Sequence, residues 1–386
     1  MTTLVQSDEA ERLARVALSR IVEPGDQRVG KLVTETSAHE VWAALQSDEL
    51  QVRGVDGYRL RLPDADPARD LEHATKAGVR VVVPGDPEWP PALDAFQVKR
   101  PLLLWVKGEA DLRSLTDRAV AVVGARAATD YGAYVAAELA SSLADRSWTV
   151  VSGGAYGIDG RAHRGALAAS GPTIAVLPCG LDVCYPRGHD GLFREIAANG
   201  VLVGEFPPGS EPTRYRFLER NRVIAGLAAG VVVVEAALRS GASNTARWAE
   251  KLGRPVMAVP GPVTSTMSAG CHQLLQSHVA ECVTDANDVV EMVGRLGADL
   301  APQRQGSSRP RDALDHDAGL VLEAFGARGE FSADELARRA GLAPRRVLRA
   351  LGNLLTAGWI ERGATGWSLG EQAKVPEPRD TPEGGA

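Results

Sequence analysis

The segment from Val120 to Gly165 decides the fold, and its sequence is VAVVGARAATDYGAYVAAELASSLADRSWTVVSGGAYGIDGRAHRG. Four consecutive short apolar side chains from Val120 to Val123 predict a strand buried on both faces of a parallel sheet. Apolar residues then recur at helical spacing from Tyr131 to Leu143, and a second strand is predicted at Thr149 to Val151. Each strand ends in a turn of small residues, Gly124-Ala125-Arg126 and Ser152-Gly153-Gly154-Ala155. Because ligands bind beyond the carboxyl ends of parallel strands, the two turns predict one shared anion pocket.

The flanking sequence continues the alternation of strand, turn and helix. Apolar runs predict further strands at Val79–Val83, Leu102–Val106, Ile174–Leu177, Val201–Gly204, Val231–Val234 and Pro255–Val259. Helices are predicted between them at Gly191–Ala198, Arg220–Ala228 and Thr245–Leu252. This repeating order predicts the α/β class, as a Rossmann-like, doubly wound parallel sheet.

The length of 386 residues predicts two or three domains. Residues 1–62 are expected to form a small helical domain of the SAM or helix-hairpin kind, with Ser37 and Glu40 as a capping box. Residues 78–298 should form the α/β domain and residues 299–311 a polar linker. Residues 312–369, with a second capping box at Ser332 and Glu335, predict a winged helix. The tail, residues 370–386, should be disordered.

Charge and cysteine content limit the class of protein. The net charge of -6 argues against nucleic-acid binding by bulk charge alone, but it permits a local basic pocket, since salt screens charges beyond about 8 Å. Cys179, Cys184, Cys271 and Cys282 lack paired metal-ligand spacing and are expected to be buried free thiols. The polar amino terminus and the shortness of the most apolar stretch, Ile224–Val234, predict a cytoplasmic protein.

Common cofactor and catalytic motifs are missing from the sequence. No GxGxxG follows either strand, and neither a P-loop nor HExxH occurs, so no cofactor and no metal is predicted. Asp159 and His163 lie four residues apart and could be an acid–base pair, although a hydrogen-bonded pair that holds the glycine-rich turn is favoured. Glu235 is interpreted as an acceptor for nearby backbone amides rather than a catalytic carboxylate.

Cationic and amide-rich segments supply the positive evidence. Arg220, Asn221 and Arg222 are predicted at the start of a helix, where free N–H groups favour anions. Arg126 should point to the same edge of the sheet, and the segment from Ser240 to Thr245 predicts a second polar helix start. Such a pocket suits phosphate binding rather than phosphate cleavage; the alternative is a structural network of ion pairs across the strand ends.

Six motifs in order resemble the DNA-processing family DprA, also called Smf: VAVVGARAATDYG, SGGAYGIDGRAH, TIAVLPCGLDVCYP, RNRVIAGL, VVVVEAALRSGASNTA and AVPGPVTSTMSAG. The resemblance covers Gly78 to about Val290. It implies a non-catalytic protein that binds single-stranded DNA, protects incoming strands in natural transformation and loads a RecA-type recombinase. It also implies self-association, as a homodimer, near Gly270 to His278. The family's DNA pocket would map onto Gly124, Arg126, Ser152, Gly153, Arg220, Asn221, Arg222, Ser240, Gly241 and Thr245.

The chain departs from the family pattern at several positions. Ala125 stands where a serine is usual, and His189 and His272 stand where asparagines are usual. Ala242-Ser243-Asn244 replaces a more apolar run. These departures affect details of the pocket rather than the family assignment.

In the winged helix, Arg345, Arg346 and Arg349 lie on the third helix, the one that enters the major groove in DNA-binding relatives. Contact with duplex DNA and docking of another protein are both open for this module. For the whole chain, the main alternative is a nucleotide-processing enzyme that resembles phosphoribohydrolases on a related fold. Those enzymes carry PGGxGT, whereas this chain has SGASNT. A third hypothesis is an interaction scaffold that binds no nucleic acid.

Overall fold

The computed structural model describes residues 9–295, 299, 310–326 and 329–374. The chain divides into two compact units, Met1–Pro302 and Gln303–Ala386. Most of the predicted linker and the predicted tail from residue 375 onward lie outside the described residues. The prediction of disorder from residue 370 is wrong for Glu371–Lys374, which form a short helix.

The first unit begins with a group of helices that we call the helical front, residues 9–76. Its helices are α1 (Glu9–Ile21), α2 (Gln27–Glu35), α3 (Ala38–Gln46), α4 (Val55–Arg59) and α5 (Pro67–Lys76). The predicted capping box is confirmed, because the Ser37 side chain accepts a hydrogen bond from the Glu40 N–H. Helix α5 extends the helical segment beyond residue 62, and Val16 and Ala74 pack with Leu103 and Trp105 of the sheet region.

The first unit centres on a nine-stranded sheet, in which the order is β1-β2-β6-β5-β4-β3-β7-β8-β9. The strands are β1 (Val79–Val82), β2 (Leu104–Lys107), β3 (Ala119–Val123), β4 (Thr149–Ser152), β5 (Thr173–Leu177), β6 (Val201–Gly204), β7 (Gly230–Val233), β8 (Val256–Ala258) and β9 (Glu281–Cys282). Seven strands, from β6 to β9 in this order, run parallel. Strand β2 is antiparallel to both β1 and β6, which the sequence analysis did not predict.

Helices cover both faces of the sheet, as the doubly wound prediction requires. They are α6 (Leu112–Thr116), α7 (Asp130–Asp145), α8 (Ile158–Ala168), α9 (Asp190–Asn199), α10 (Arg214–Leu227), α11 (Gly241–Lys251), α12 (Ala269–Gln276) and α13 (Ala286–Val293). Val120 and Val122 of β3 pack with α7, α8 and α13, whereas Ala121 and Val123 pack with α10 and α11. The alternation follows from the two-residue period of a strand.

The chain reverses its direction of travel across the sheet at β3. From β3 it proceeds outward through β4, β5 and β6, and it then returns to place β7 on the other side of β3. In open α/β sheets, the crevice outside the carboxyl ends of the strands at such a point is where ligands bind. The topology therefore directs attention to the turns that follow β3 and β7.

The second unit is a winged helix, as predicted. It contains α14 (His316–Glu323), α15 (Ala333–Ala340), α16 (Pro344–Thr356), the hairpin β10 (Ile360–Arg362) and β11 (Trp367–Leu369), and a last short helix α17 (Glu371–Lys374). Ser332 caps α15 by accepting from the Glu335 N–H, and Gly341 ends the same helix at φ 65°. Val347, Leu351 and Leu354 of α16 join the unit's own core.

Candidate nucleic-acid interface

A cavity of about 890 Å³ lies at the carboxyl ends of β3 and β7. We call it the arginine pocket. Its walls are the turns after these strands, one side of α10 from Arg214 to Ile224, and the start of α11. The residues that line it include Gly124, Arg126, Asp159, Tyr185, Arg214, Phe217, Arg220, Asn221, Arg239, Ser240, Gly241, Asn244, Thr245 and Arg247.

Positive charge dominates the pocket wall. Five of its lining residues are arginines, and Asp159 is the one carboxylate among the lining residues that the structure describes. Four of these arginines are exposed to solvent: Arg126, Arg214, Arg239 and Arg247. Within the described part of the chain, none of those four forms an ion pair. Guanidinium groups without a carboxylate partner are suited to bidentate contacts with phosphate.

Phe217 forms an aromatic surface in the middle of this charge. The guanidinium carbon of Arg126 lies 4.3 Å from the centroid of the Phe217 ring, and that of Arg220 lies 5.9 Å from it. The ring of Tyr185, which is 40% exposed, meets Phe217 edge-on at 5.7 Å between centroids. The pocket thus offers an aromatic surface beside cations, the combination that binds the bases and the backbone of single-stranded nucleic acids.

Arg220 is held beneath the pocket floor rather than free in it. Its Nη1 donates to the carbonyl oxygen of Gly153 at 2.6 Å and to that of Val176. Burial lowers the pKa of Arg220 to about 10, against the opposing charge of Asp159, so the guanidinium is protonated at neutral pH. Burial also raises the pKa of the Asp159 carboxyl, and the charge of Arg220 counteracts that rise. Arg220 therefore supplies a fixed positive charge at the floor.

A side chain at position 153 would displace Asp159 or Arg220 from this arrangement. A methyl group on the Gly153 Cα would lie 2.5 Å from Asp159 Oδ2 and 2.6 Å from Arg220 Nη1. The residue packs behind the pocket and does not line it. Ser152 is also behind the lining: its buried hydroxyl donates to the Val122 carbonyl oxygen at 2.6 Å. Both predicted binding residues thus support the wall in this structure, while their contact with a ligand stays a prediction.

The start of α11 forms the opposite wall. Ser240 caps the helix by accepting from the Ser243 N–H at 3.3 Å, which confirms the predicted polar helix start. Asn221 joins this wall to α10, because its Nδ2 donates to the Gly241 carbonyl at 3.2 Å and to Asn244 Oδ1 at 3.3 Å. Gly124, Ser240, Gly241 and Thr245 line the pocket with Arg126, Arg220 and Asn221, so the structure brings seven predicted residues together.

Arg222 does not belong to this group, which corrects the expectation that it faces the pocket. Its side chain is fully buried and pairs with Glu205 at 2.5 Å between Nη2 and Oε1. Phe96 packs nearby, with its ring centroid 5.7 Å from the guanidinium carbon. Burial raises the pKa of Glu205, and the charge of Arg222 opposes that rise. The pair lies in the core, where a DNA phosphate has no access to it.

The helix that carries Arg222 also begins earlier than predicted. Thr213, not a residue near Arg220, caps α10 by accepting from the Arg216 N–H at 3.4 Å. Arg220, Asn221 and Arg222 therefore lie near its middle rather than at its start. With this start, Arg214 and Phe217 enter the pocket. Arg239 and Arg247, on either side of the predicted segment from Ser240 to Thr245, also line it. These four residues were not among those predicted from the sequence.

Two other predicted interactions have different outcomes. Asp159 and His163 do not pair: the His163 Nδ1 lies 2.8 Å from Thr173 Oγ1, while Asp159 accepts from the Ala155 N–H at 3.4 Å. Burial lowers the pKa of His163 to about 3, so its ring is neutral. Glu235 does bind the backbone as expected, since it accepts from the N–H of Thr129 at 2.9 Å and from its hydroxyl at 2.6 Å.

The departures from the family pattern occupy supporting positions. Ala125 is buried beside the pocket. The buried His189 ring donates from Nδ1 to the Gly154 carbonyl at 3.0 Å, and His272 Nε2 lies 2.9 Å from the Gly261 carbonyl. Both histidines thereby hold turns next to strand ends. The four cysteines are free thiols, although Cys282 is exposed rather than buried as predicted and Cys184 is half-buried.

The arginines of the winged helix are arranged differently from those of the pocket. Arg346 Nε donates to Asp317 Oδ2 at 2.9 Å, and Arg349 Nη2 donates to the same oxygen at 3.1 Å. The hydrogen bond from Arg346 lowers the pKa of the Asp317 carboxyl, and both cations reinforce this shift. Arg345 is exposed. Two of the three predicted contact residues therefore already have an anionic partner within the module.

The described residues form no helix with the length and apolar character of a membrane span. No group of three histidine, cysteine, aspartate or glutamate side chains among them could hold a metal ion.

Comparison with known proteins finds a matching family model for each of the two units. The family model of DNA recombination-mediator protein A matches residues 80–294, and that of the DprA winged helix domain matches residues 305–366. A putative DNA processing protein DprA of Mycobacterium tuberculosis is 46% identical over 364 residues, which cover 91% of this chain and 92% of the relative. Protein Smf of Escherichia coli is 39% identical over 282 residues, which cover 72% of this chain and 74% of the relative.

Solved structures of DprA proteins also match this chain. The X-ray structure of DprA from Streptococcus pneumoniae matches with a TM-score of 0.64 and 31% identity, over 75% of this chain and all of that one. A DprA structure from Helicobacter pylori, described for its single-stranded DNA binding mode, matches with a TM-score of 0.50 and 30% identity, over 55% of this chain and 94% of that one. The chain belongs to the DNA recombination-mediator protein A family, DprA or Smf.

Proposed function

We propose that this protein binds single-stranded DNA in the arginine pocket, chiefly through the phosphates and without sequence preference. The observation that carries the proposal is the set of four exposed, carboxylate-free arginines around one cavity. Phosphate contacts hold a strand without reporting its sequence. The single-stranded DNA binding mode named for the Helicobacter pylori relative supports the same conclusion.

The ring of Phe217 has a separate role in this proposal. It lies among the arginines, and a base stacked on it would place the neighbouring phosphates within reach of Arg126 and Arg214. Every base has an aromatic face, so stacking adds affinity without selecting a sequence.

We further propose the biological role that the family membership supports. The protein would protect incoming DNA during natural transformation or homologous recombination and load a RecA-type recombinase onto it, in the cytoplasm. It would act as a homodimer through Gly270 to His278, a segment that contains most of α12. It would act by binding rather than by catalysis.

The competing hypothesis of a nucleotide-processing enzyme depends on Glu235. That carboxylate is almost fully buried, accepts both of its hydrogen bonds from Thr129, and does not line the arginine pocket. The position of Glu235 argues for a structural role of this carboxylate. DNA binding is therefore favoured over nucleotide processing.

The experiment that tests the proposal measures the affinity of the full chain for oligodeoxythymidylate at several salt concentrations. A steep negative slope of log K against log salt is expected, reduced by about 0.7 in Arg126→Ala if one phosphate contact is lost. Arg53→Ala is the matched control, because Arg53 is an exposed arginine outside the pocket. Equal affinities and slopes for wild type, Arg126→Ala and Arg53→Ala would contradict the proposed site.

A further inference from the structure

A second group of cations surrounds an aromatic ring on α11, outside the arginine pocket. The ammonium nitrogen of Lys99 lies 5.1 Å from the Trp248 ring centroid, and that of Lys251 lies 4.8 Å from it. The Phe96 ring meets the Trp248 ring edge-on, at 5.8 Å between the two centroids. We call Lys99, Trp248 and Lys251 the lysine–tryptophan cluster.

The two ammonium groups of this cluster have no anionic partner in the described part of the chain. The sequence contains six lysines, and two others that are exposed, Lys31 and Lys76, pair with Glu35 and Glu72. Lys99 and Lys251 are instead held over a ring, which attracts a cation but leaves its charge uncompensated. Each ammonium group is therefore available to an anion such as a phosphate.

The same arrangement occurs in the arginine pocket. Arg126 lies over Phe217 and has no carboxylate partner, whereas five other arginines over rings have one. Arg362 of the second unit also lies over a ring, that of Trp367, and forms no ion pair among the described residues. Arg28, Arg118, Arg216, Arg222 and Arg339 each lie over an aromatic ring and each pair with a carboxylate. The cluster therefore resembles the pocket and differs from these structural cation–ring contacts.

Helix α11 connects the two places. Asn244 and Arg247 line the pocket, and Trp248 and Lys251 follow them by four residues each. Residues four apart lie on the same face of a helix, separated by about 6 Å along its axis. The helix face that begins as a wall of the pocket thus continues directly to the cluster.

We propose that the lysine–tryptophan cluster is a second phosphate contact for the DNA strand that occupies the arginine pocket. Lys99 and Lys251 would contact the backbone where it leaves the pocket along α11. Trp248 is a positioning residue, which holds both ammonium groups. Its fluorescence would change when a phosphate binds to them. The inference rests on the proposed function, because it extends the path of the same strand.

The test uses the double variant Lys99→Gln/Lys251→Gln of the full chain and two lengths of oligodeoxythymidylate, about 4 and about 20 nucleotides. The shorter one is chosen to fill the pocket only, and the longer one to reach the cluster. The salt slope for the longer oligonucleotide should fall by about 1.4, the loss expected for two phosphate contacts, while that for the shorter one stays unchanged. Lys31→Gln/Lys76→Gln is the control with the same change in net charge.

Fluorescence supplies the second measurement. The longer oligonucleotide should change the tryptophan emission of the wild type, and Trp248→Phe should remove most of that change while the protein remains folded. An unchanged slope in the Lys99→Gln/Lys251→Gln variant, with Arg126→Ala still impaired, would overturn the second contact and leave the pocket intact. Failure of the wild type to bind either oligonucleotide would overturn both proposals.

Discussion

One face of α10 presents Arg214 and Phe217 to the arginine pocket, whereas the opposite face presents Arg216 and Arg222 to Glu23 and Glu205. The two faces have the same kind of cation and differ in its partner. On the pocket face the charge is exposed and uncompensated, so it is available to a ligand. On the opposite face it is neutralised inside the protein, so it contributes to the fold. Arginine content alone therefore does not identify a binding surface.

The largest expected effect concerns the buried face. Arg222→Ala leaves Glu205 as a buried carboxylate without its partner, and we expect the free energy of unfolding to fall by about 3–5 kcal/mol. Urea denaturation followed by circular dichroism measures this loss. The double variant Arg222→Leu/Glu205→Leu should recover much of the stability, because apolar side chains replace both charges. A loss below about 1 kcal/mol in Arg222→Ala would show that the two faces do not differ as described.

The next effect concerns the aromatic surface of the pocket face. Phe217→Ala should weaken the binding of oligodeoxythymidylate by about 1–3 kcal/mol, the usual contribution of one stacked base. Fluorescence anisotropy with a labelled oligonucleotide measures the change. Phe217→Tyr retains the ring and should bind nearly as the wild type does. Equal weakening by both substitutions would contradict stacking as the role of this residue.

The smallest effect compares two arginines on the same helix. Arg214→Ala should lower the salt slope of DNA binding by about 0.7 and leave the unfolding free energy within about 0.5 kcal/mol of the wild type. Arg216→Ala is its control, since Arg216 pairs with Glu23 and does not line the pocket. Its salt slope should equal that of the wild type. A lower slope in Arg216→Ala than in Arg214→Ala would reverse the assignment of the two faces.

Local sequence patterns were sufficient to predict most of the architecture. The run from Val120 to Val123 predicts a buried strand because every side chain in it is apolar, and the structure buries all four. Ser332 and Gly341 predict the ends of a helix because capping depends on residues close in sequence. The antiparallel pairing of β2 with β6 was not predictable in this way, since those strands are far apart in the chain.

The site was predictable in part, for a related reason. Gly124 and Arg126 directly follow β3, so their position at the sheet edge follows from the strand itself. The early start of α10 was missed because Thr213, Arg214 and Tyr215 show no apolar periodicity. The burial of Arg222 depends on Glu205, on a different element, and on packing that only the tertiary structure reveals. Side-chain partners therefore distinguish binding arginines from structural ones.

The most direct test of the central claim is a crystal structure of the full chain with a short oligodeoxythymidylate. We expect phosphate oxygens within hydrogen-bond distance of the Arg126 guanidinium, a base against the ring of Phe217, and an unchanged ion pair between Arg222 and Glu205. A strand bound away from the arginine pocket, or a phosphate paired with Arg222 in place of Glu205, would contradict the claim.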